Sequence, residues 1–232
     1  MKRIAIIPAR GGSKRIPRKN IKEFNGKPVI AYSIEAALNS NLFSEVMVST
    51  EDKDIAEISS KYGAKVPFLR SEKNSDDFAG PGDVVYEVLK EYEQVGQVFD
   101  YSCCIYATAP LISVSRLIDG YELLLNSNFD VVFPVGCYSS PIWRSYKMNG
   151  QGRVEMNFPE HEKKRSQDLP SSYYDAGQFY WFRIANFVTL KNKNIFGASK
   201  GAIVLRDNEV QDIDTLDDWR MAEVKFSYSK KL

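Results

Sequence analysis

Arg3-Ile4-Ala5-Ile6-Ile7-Pro8-Ala9 runs without a break into Arg10-Gly11-Gly12-Ser13-Lys14-Arg15-Ile16-Pro17-Arg18-Lys19-Asn20. The apolar run around Ile4, Ile6 and Ile7 is too short for a helix and suits a strand buried on both faces. Directly behind it stand the cations Arg10, Lys14, Arg15, Arg18 and Lys19, separated by two glycines, a serine and a proline. Gly11 and Gly12 allow positive φ and let a ligand approach backbone N–H groups, and Ser13 adds a hydroxyl donor. A buried strand that ends in a small, cation-rich loop is suited to hold a polyanion. Neither Gly-x-x-x-x-Gly-Lys-Ser/Thr nor Gly-x-Gly-x-x-Gly is present, so a P-loop ATPase and a standard dinucleotide reader are both disfavoured.

Working outward, strands and helices alternate. Asn25-Gly26 marks a turn, and Ile30, Ile34 and Leu38 recur at helical spacing over residues 28–40. A strand is expected over 45–50, a helix over 52–62 ended by Gly63, and a short edge strand over 65–69, where Pro67 removes a donor. A helix over 84–92, a strand over 101–107, a helix after Ser113 with Leu117, Tyr121 and Leu124 on one side, and a strand over 130–135 follow. This rhythm predicts an α/β fold, a doubly wound and mostly parallel sheet. Ligands of such sheets lie beyond the carboxyl ends of the strands. The first loop, the polar loop 70–83 with Arg70, and the small-residue segment with Ala107 and Thr108 should therefore meet at one edge.

The rhythm breaks at about 140–170, where Tyr146, Met148, Val154, Met156 and Phe158 alternate across Asn149-Gly150 as a hairpin. Exposed aromatics on such an arm mark a subunit contact, with packing inside one chain as the alternative. The expectation is one domain over 1–232 carrying this insertion.

Lys and Arg number 31 against 30 Asp and Glu, for a net charge of +1. The positive charge is thus local, which argues against a nucleic-acid protein with its extended basic face. Cys103, Cys104 and Cys137 have no metal-type spacing and read as free thiols of a reducing compartment. The chain enters a core strand at once and has no apolar stretch able to span a bilayer, so a cytoplasmic protein without a membrane partner is expected. His161, the only histidine, has no partner at ligand spacing and reads as a surface residue.

Two later patches bear chemistry. Arg165 and Gln167 offer a fork of donors suited to a carboxylate and hydroxyls. Residues 210–215 read as a strand, which would set Asp212 and Asp214 on one face as hard oxygen ligands for Mg²⁺. Thr215-Leu216-Asp217-Asp218 then caps a last helix. A polyanion loop, a metal pair and a donor fork define a phosphoryl-transfer site. A glycosyltransferase that consumes a nucleotide sugar is the rival from another class, since such enzymes also use Asp-x-Asp, although they lack the loop.

The stretch from Pro8 to Asn20 resembles, in full, the Pro-Ala-Arg-Gly-Gly-Ser-Lys-Arg-x-Pro-x-Lys-Asn signature of the acylneuraminate cytidylyltransferases. The resemblance implies that CTP and a nonulosonic acid yield a CMP-sugar and pyrophosphate, by attack of the anomeric hydroxyl on the α-phosphorus. It implies that Arg10, Gly11, Ser13, Lys14, Lys19 and Asn20 hold CTP, with Arg70, Ala107 and Thr108 beside them. Lys19, Arg10 and Asp214 are then the expected catalytic groups, and Asp212 and Asp214 the Mg²⁺ ligands. Tyr106 stands where the family has a glutamine and Ile112 where it has an arginine, so those contacts do not carry over. The run from Arg165 to Pro170 is similar to the family's Arg-x-Gln-x-Leu-Pro, which grips the acidic sugar, with Tyr174 and Gln178 next in line. Members acting on sialic acid continue with Arg-x-Asn-Gly-Ala-Ile-Tyr; here Tyr174, Ala176 and Gln178 replace the arginine, asparagine and alanine. The form Tyr-Tyr-Asp-Ala-Gly-Gln-Phe-Tyr-Trp is the one associated with pseudaminic acid. N-acetylneuraminic acid, legionaminic acid and Kdo are the alternatives. The family's insertion makes a homodimer and closes over the partner's sugar site, so a homodimer is expected.

Overall fold

The apolar run at the start is strand β1 (Arg3–Pro8), and Ile4, Ile6 and Ile7 are fully buried. The computed structural model describes residues 1–75, 79–189 and 199–229. After the loop a small hairpin, β2 (Glu23–Phe24) and β3 (Lys27–Pro28), turns on Asn25 and Gly26, both at positive φ, as a two-residue hairpin turn requires. Helix α1 (Val29–Asn39) then buries Ile30 and Ile34, while Leu38, expected on the same face, is 37% exposed. Next come β4 (Glu45–Ser49), α2 (Lys53–Lys61), α3 (Pro81–Gln94), β5 (Tyr101–Ile105), α4 (Val114–Leu125) and β6 (Val131–Cys137). Ser113 caps α4 by accepting from the Arg116 N–H, and Gly63 follows α2 at φ +94°, the left-handed C-terminal cap expected of glycine.

The arm strands β7 (Tyr146–Met148) and β8 (Val154–Met156) pair antiparallel as a separate ribbon. The chain then returns through β9 (Tyr173–Asp175), β10 (Phe179–Arg183), the short α5 (Ile184–Phe187), β11 (Lys200–Leu205) and α6 (Leu216–Ser229).

The main sheet runs β4-β1-β5-β10-β6-β11. β1 lies parallel between β4 and β5, with Ile6 opposite both Met47 and Cys104. β10 is antiparallel to β5 and β6, while β11 is parallel to β6. β9 pairs with the far end of the β6 edge that β10 also uses. The strand β9–β10 is thus one antiparallel strand broken at Ala176-Gly177-Gln178. Side chains of α1, α2 and α4 pack on one sheet face and those of α3 and α5 on the other, as a doubly wound sheet requires. Cys103 and Cys104 are free thiols buried on opposite faces of β5.

Two expected strands do not form. Residues 65–69 make a single bridge, Met47 to Lys65, because Pro67 leaves no continuous run of donors. Residues 211–213 are irregular backbone, with Ile213 fully buried against Ile16, Phe24 and Trp219. That anchor fixes Asp212 and Asp214 on either side of it. His161 is not a surface residue either: its side chain is 17% exposed and packs against Trp143 and Phe158 at the base of the arm.

Candidate active site

At the carboxyl ends of β1 and β5 the loop closes one wall of a cleft of about 540 Å³. Arg10, Ser13, Lys14, Lys19 and Asn20 contribute to its lining, and Arg70, Ala107 and Thr108 face them across it. The three segments expected at one edge are therefore brought together, while residues 76–78 of the 70–83 loop lie outside the described residues.

The loop owes its shape to residues that the motif alone did not single out. The Gly11 N–H donates to Glu51 Oε1 at 2.7 Å. A Cβ on Gly11 would stand 2.5 Å from Asp52 Oδ2, so any larger residue there would have to displace the Asp52 carboxylate. Asp52 caps α2 through the N–H groups of Asp54 and Ile55 and also pairs with the Arg18 guanidinium, which reaches Asp54 at 2.7 Å. Arg18 sits at φ 56°, a left-handed conformation that costs a non-glycine residue energy and that these pairs hold in place. Asn20 is buried and donates from Nδ2 to the Arg10 carbonyl at 2.8 Å, clasping the two ends of the loop. Gly11 and Asn20 thus shape the loop, while Arg10, Ser13, Lys14 and Lys19 line the cleft.

Lys19 reaches across to the far end of the chain. Its Nζ donates to the Ile213 carbonyl at 2.6 Å and lies 3.7 Å from Asp214 Oδ1. Burial pulls the ammonium below its ordinary pKa, and the Asp214 and Asp212 carboxylates oppose that shift. Arg15 pairs with the same Asp214 oxygen at 2.7 Å. Asp212 is partly desolvated although the residue as a whole is open to solvent; that desolvation and the charge of Asp214 raise its carboxyl, with Lys19 opposing. Gly177, at φ 62°, presents its Cα side to Asp212, where a Cβ would stand 3.7 Å from the carboxyl carbon. Arg70 is 8% exposed and is gripped by Ser49, with Nε 3.1 Å from Ser49 Oγ and a second bond to the Ser49 carbonyl. Burial lowers its guanidinium pKa, and Glu51 and Glu87 oppose this.

The residues expected at the sugar acid are placed less uniformly. Arg165 is exposed and forks onto Asp168 at 2.7 and 3.0 Å, and Gln167 is exposed beside it. Both lie at the return of the arm and neither lines the cleft. Gln178 is 2% exposed, and its Nε2 donates to the Glu209 carbonyl at 2.5 Å. The sequence suggested a ligand, yet here it is a buried tie between the strand break and the segment before Asp212. Tyr174 packs over Gly136, where a Cβ would meet its ring at 2.5 Å, and clusters with Ala176, Leu205 and Val210. The resemblance that set Tyr174 and Gln178 at the sugar acid carries no information about the strand break, which resets which face each residue takes.

Comparison with known proteins accords with this geometry. The family described as cytidylyltransferase matches residues 4–213. The chain is 43% identical over 226 residues to the pseudaminic acid cytidylyltransferase of Campylobacter jejuni subsp. jejuni serotype O:2, covering 97% of each chain. It is 31% identical to the CMP-N,N'-diacetyllegionaminic acid synthase of Legionella pneumophila subsp. pneumophila, covering 96% of this chain and 95% of that protein. A solved structure of CMP:2-keto-3-deoxy-manno-octonic acid synthetase complexed with CTP superposes over the full length of both chains with a TM-score of 0.70 at 19% identity, a likeness of fold. A match that begins in β1, takes in the whole phosphate-type loop and ends at the buried Ile213 establishes that this chain belongs to the cytidylyltransferase family and is a nucleotidyltransferase.

Proposed function

We propose that the protein activates a nonulosonic acid with CTP, giving the CMP-sugar and pyrophosphate, and that the sugar is pseudaminic acid. The observation that carries the chemistry is the contact of Lys19 with the Ile213–Asp214 segment, which joins the cationic loop to the two acids. The relatives' substrates and the Tyr174-to-Gln178 departure support the sugar. The cavity suits this substrate pair, because it is open at the strand ends and lined by cations on the side of the loop.

In this reading Arg10, Ser13 and Lys14 bind the triphosphate, and Lys19 meets the charge that grows as pyrophosphate leaves. A cation about 4 Å from a phosphate oxygen gains about 4 kcal/mol at an effective dielectric of 20, so several such contacts matter on the scale of a barrier. Asp214, held by Arg15 and Lys19, orients the attacking anomeric hydroxyl. No protein nucleophile is needed; positioning and charge neutralisation do the work.

The residues also fit Mg²⁺. Among the described residues no group of three or more His, Cys, Asp or Glu forms a closed metal cage. Two carboxylates flanking Ile213, one of them raised by desolvation and by the other's charge, are the donor set expected for an ion that keeps its waters and shares the phosphates. Asp212 and Asp214 would hold it, and when bound it supplies positive charge to the phosphate oxygens.

A homodimer belongs to the same proposal. Tyr146, Met148 and Val154 are 50% or more exposed on the arm, an apolar surface that a second chain would cover. No helix among the described residues is long and apolar enough to cross a membrane. A cytoplasmic reaction, supplied with CTP there, belongs to the same proposal. Membership of the cytidylyltransferase family sets aside the glycosyltransferase reading of the two acids.

The test is pyrophosphate release with CTP and Mg²⁺, with pseudaminic, legionaminic and N-acetylneuraminic acids compared in parallel. Release with pseudaminic acid at a kcat/KM at least tenfold above the others is the expected result. Preference for another acid overturns the sugar, and no release with any acid overturns the proposal.

A further inference from the structure

Residues 210–213 pair with no strand among the described residues, so the backbone carbonyls around Asp212 find their partners outside a ladder. Those of Glu209, Val210, Asp212 and Ile213 are taken by side chains. Gln178 Nε2 donates to the Glu209 carbonyl at 2.5 Å, Lys225 Nζ to that of Val210 at 2.6 Å, Gln211 Nε2 to that of Asp212 at 3.1 Å, and Lys19 Nζ to that of Ile213 at 2.6 Å. Gln211 belongs to the segment itself and Lys19 to the cationic loop. Gln178 and Lys225 reach in from elsewhere, the first from the break before β10 and the second from α6. The side chains of Val210 and Ile213 are buried, so only Gln211 and Asp212 span the gap between two fixed points.

Gln178 is the more central of the two braces. It is 2% exposed, and its backbone carbonyl accepts from the Tyr106 N–H at 2.8 Å, on the cleft wall that follows β5. One residue thus fastens that wall with its main chain and the acid segment with its side chain. Glu209, which receives the amide, is itself pinned, because its carboxylate accepts from the Arg116 guanidinium of α4 at 3.1 and 3.0 Å. The turn before Gln178 is fixed as well. Asp175 accepts from the Gly177 N–H at 2.9 Å with one oxygen and from the Tyr180 hydroxyl at 2.8 Å with the other, and Gly177 then faces the Asp212 carboxyl. Lys225 adds a charge-assisted bond, stronger than a neutral one, at the next carbonyl along the chain. Neither Gln178 nor Lys225 lines the cleft. What they govern is where Asp212 stands, not a contact with substrate.

We infer that Gln178, assisted by Lys225, is a positioning residue for Asp212: the two side chains stand in for a strand ladder and hold the carboxylate ready for a divalent cation. The inference rests on the reading of Asp212 and Asp214 as Mg²⁺ ligands given above.

The experiment is a titration of the full chain with Mn²⁺ alone, followed by electron paramagnetic resonance, for the wild type, Gln178→Leu, Lys225→Met, Asp212→Asn and the double variant of Gln178→Leu with Asp212→Asn. Calorimetry with CTP in the absence of divalent cations reports on the nucleotide half of the cleft. Gln178→Leu and Lys225→Met are each expected to raise the Kd for Mn²⁺ about tenfold, the loss of one hydrogen bond, with the Kd for CTP unchanged within about twofold. In the Asp212→Asn background Gln178→Leu is expected to add less than about twofold, because its effect passes through that carboxylate and a general loosening of the fold would not. An unchanged Kd for Mn²⁺ in Gln178→Leu, or in Lys225→Met should the first variant not fold, overturns the inference. So does a full effect in the Asp212→Asn background or a parallel rise in the Kd for CTP, and in each case the proposed function stands. A wild type that binds no Mn²⁺, or an Asp212→Asn variant that binds it as the wild type does, removes the metal reading of the two acids and the inference with it.

Discussion

Lys19 answers to three demands at once: it is partly buried, it donates to the Ile213 carbonyl, and it stands beside two carboxylates. A side chain so placed has little freedom left to lose when a triphosphate arrives, which is what preorganised charge stabilisation requires. Lys19→Ala is expected to cut kcat at least 100-fold at saturating CTP, with far-UV circular dichroism unchanged; a loss confined to KM would place Lys19 in ground-state binding instead. The identities of the loop's cations were legible from the chain because charge and glycine in that order have few structural uses. The grip on Gly11 was not, since Glu51 and Asp52 lie some 40 positions later and acquire their meaning only when β4 is set beside β1. The same holds for Gln178 and Tyr174, whose inward turns depend on a break in the strand that alternation cannot foresee.

Among the elements, the junction of β4 and α2 does more than connect. Asp52 caps α2 and pairs with Arg18, so the start of a helix and the shape of the loop share one carboxylate. Asp52→Ala is expected to lose about 1 kcal/mol from the cap and to raise the KM for CTP, whereas Asp54→Ala, at an exposed pair, is expected to change neither. Burial alone would raise the Asp52 carboxyl, but the Arg18 hydrogen bond and the α2 N–H groups outweigh it and hold its pKa below the ordinary value. A depressed pKa contributes stability above the unfolded value of about 4 and loses it as pH falls through the folded one. Denaturant titrations of wild type and Asp52→Asn should therefore differ at neutral pH and converge below about pH 4; a constant gap would exclude the carboxylate charge as the source. Helices and buried strands declared themselves by spacing and by caps such as Ser113. The segments at 65–69 and 211–213 did not, because a short apolar stretch looks alike whether it pairs along its length or only wedges one side chain into the core.

For the whole molecule, the arm is the part least explained by a single chain, since its two strands pair with no other strand among the described residues and carry exposed apolar side chains. Sedimentation is expected to give twice the 26.4 kDa chain mass, and the double substitution Tyr146→Asp and Met148→Asp is expected to return it to a monomer. A wild-type monomer at micromolar concentration would refute the dimer. The order of strands has another outcome. β10 lies between β5 and β6, yet it is synthesised some 40 positions after β6 and more than 70 after β5. Until that segment leaves the ribosome, the two halves of the sheet cannot be joined, and two inner edges with unpaired backbone groups stay open to any passing strand. A nascent chain of this topology is thus vulnerable to aggregation until its last quarter emerges, and a chaperone that holds it until then would raise the yield of native enzyme.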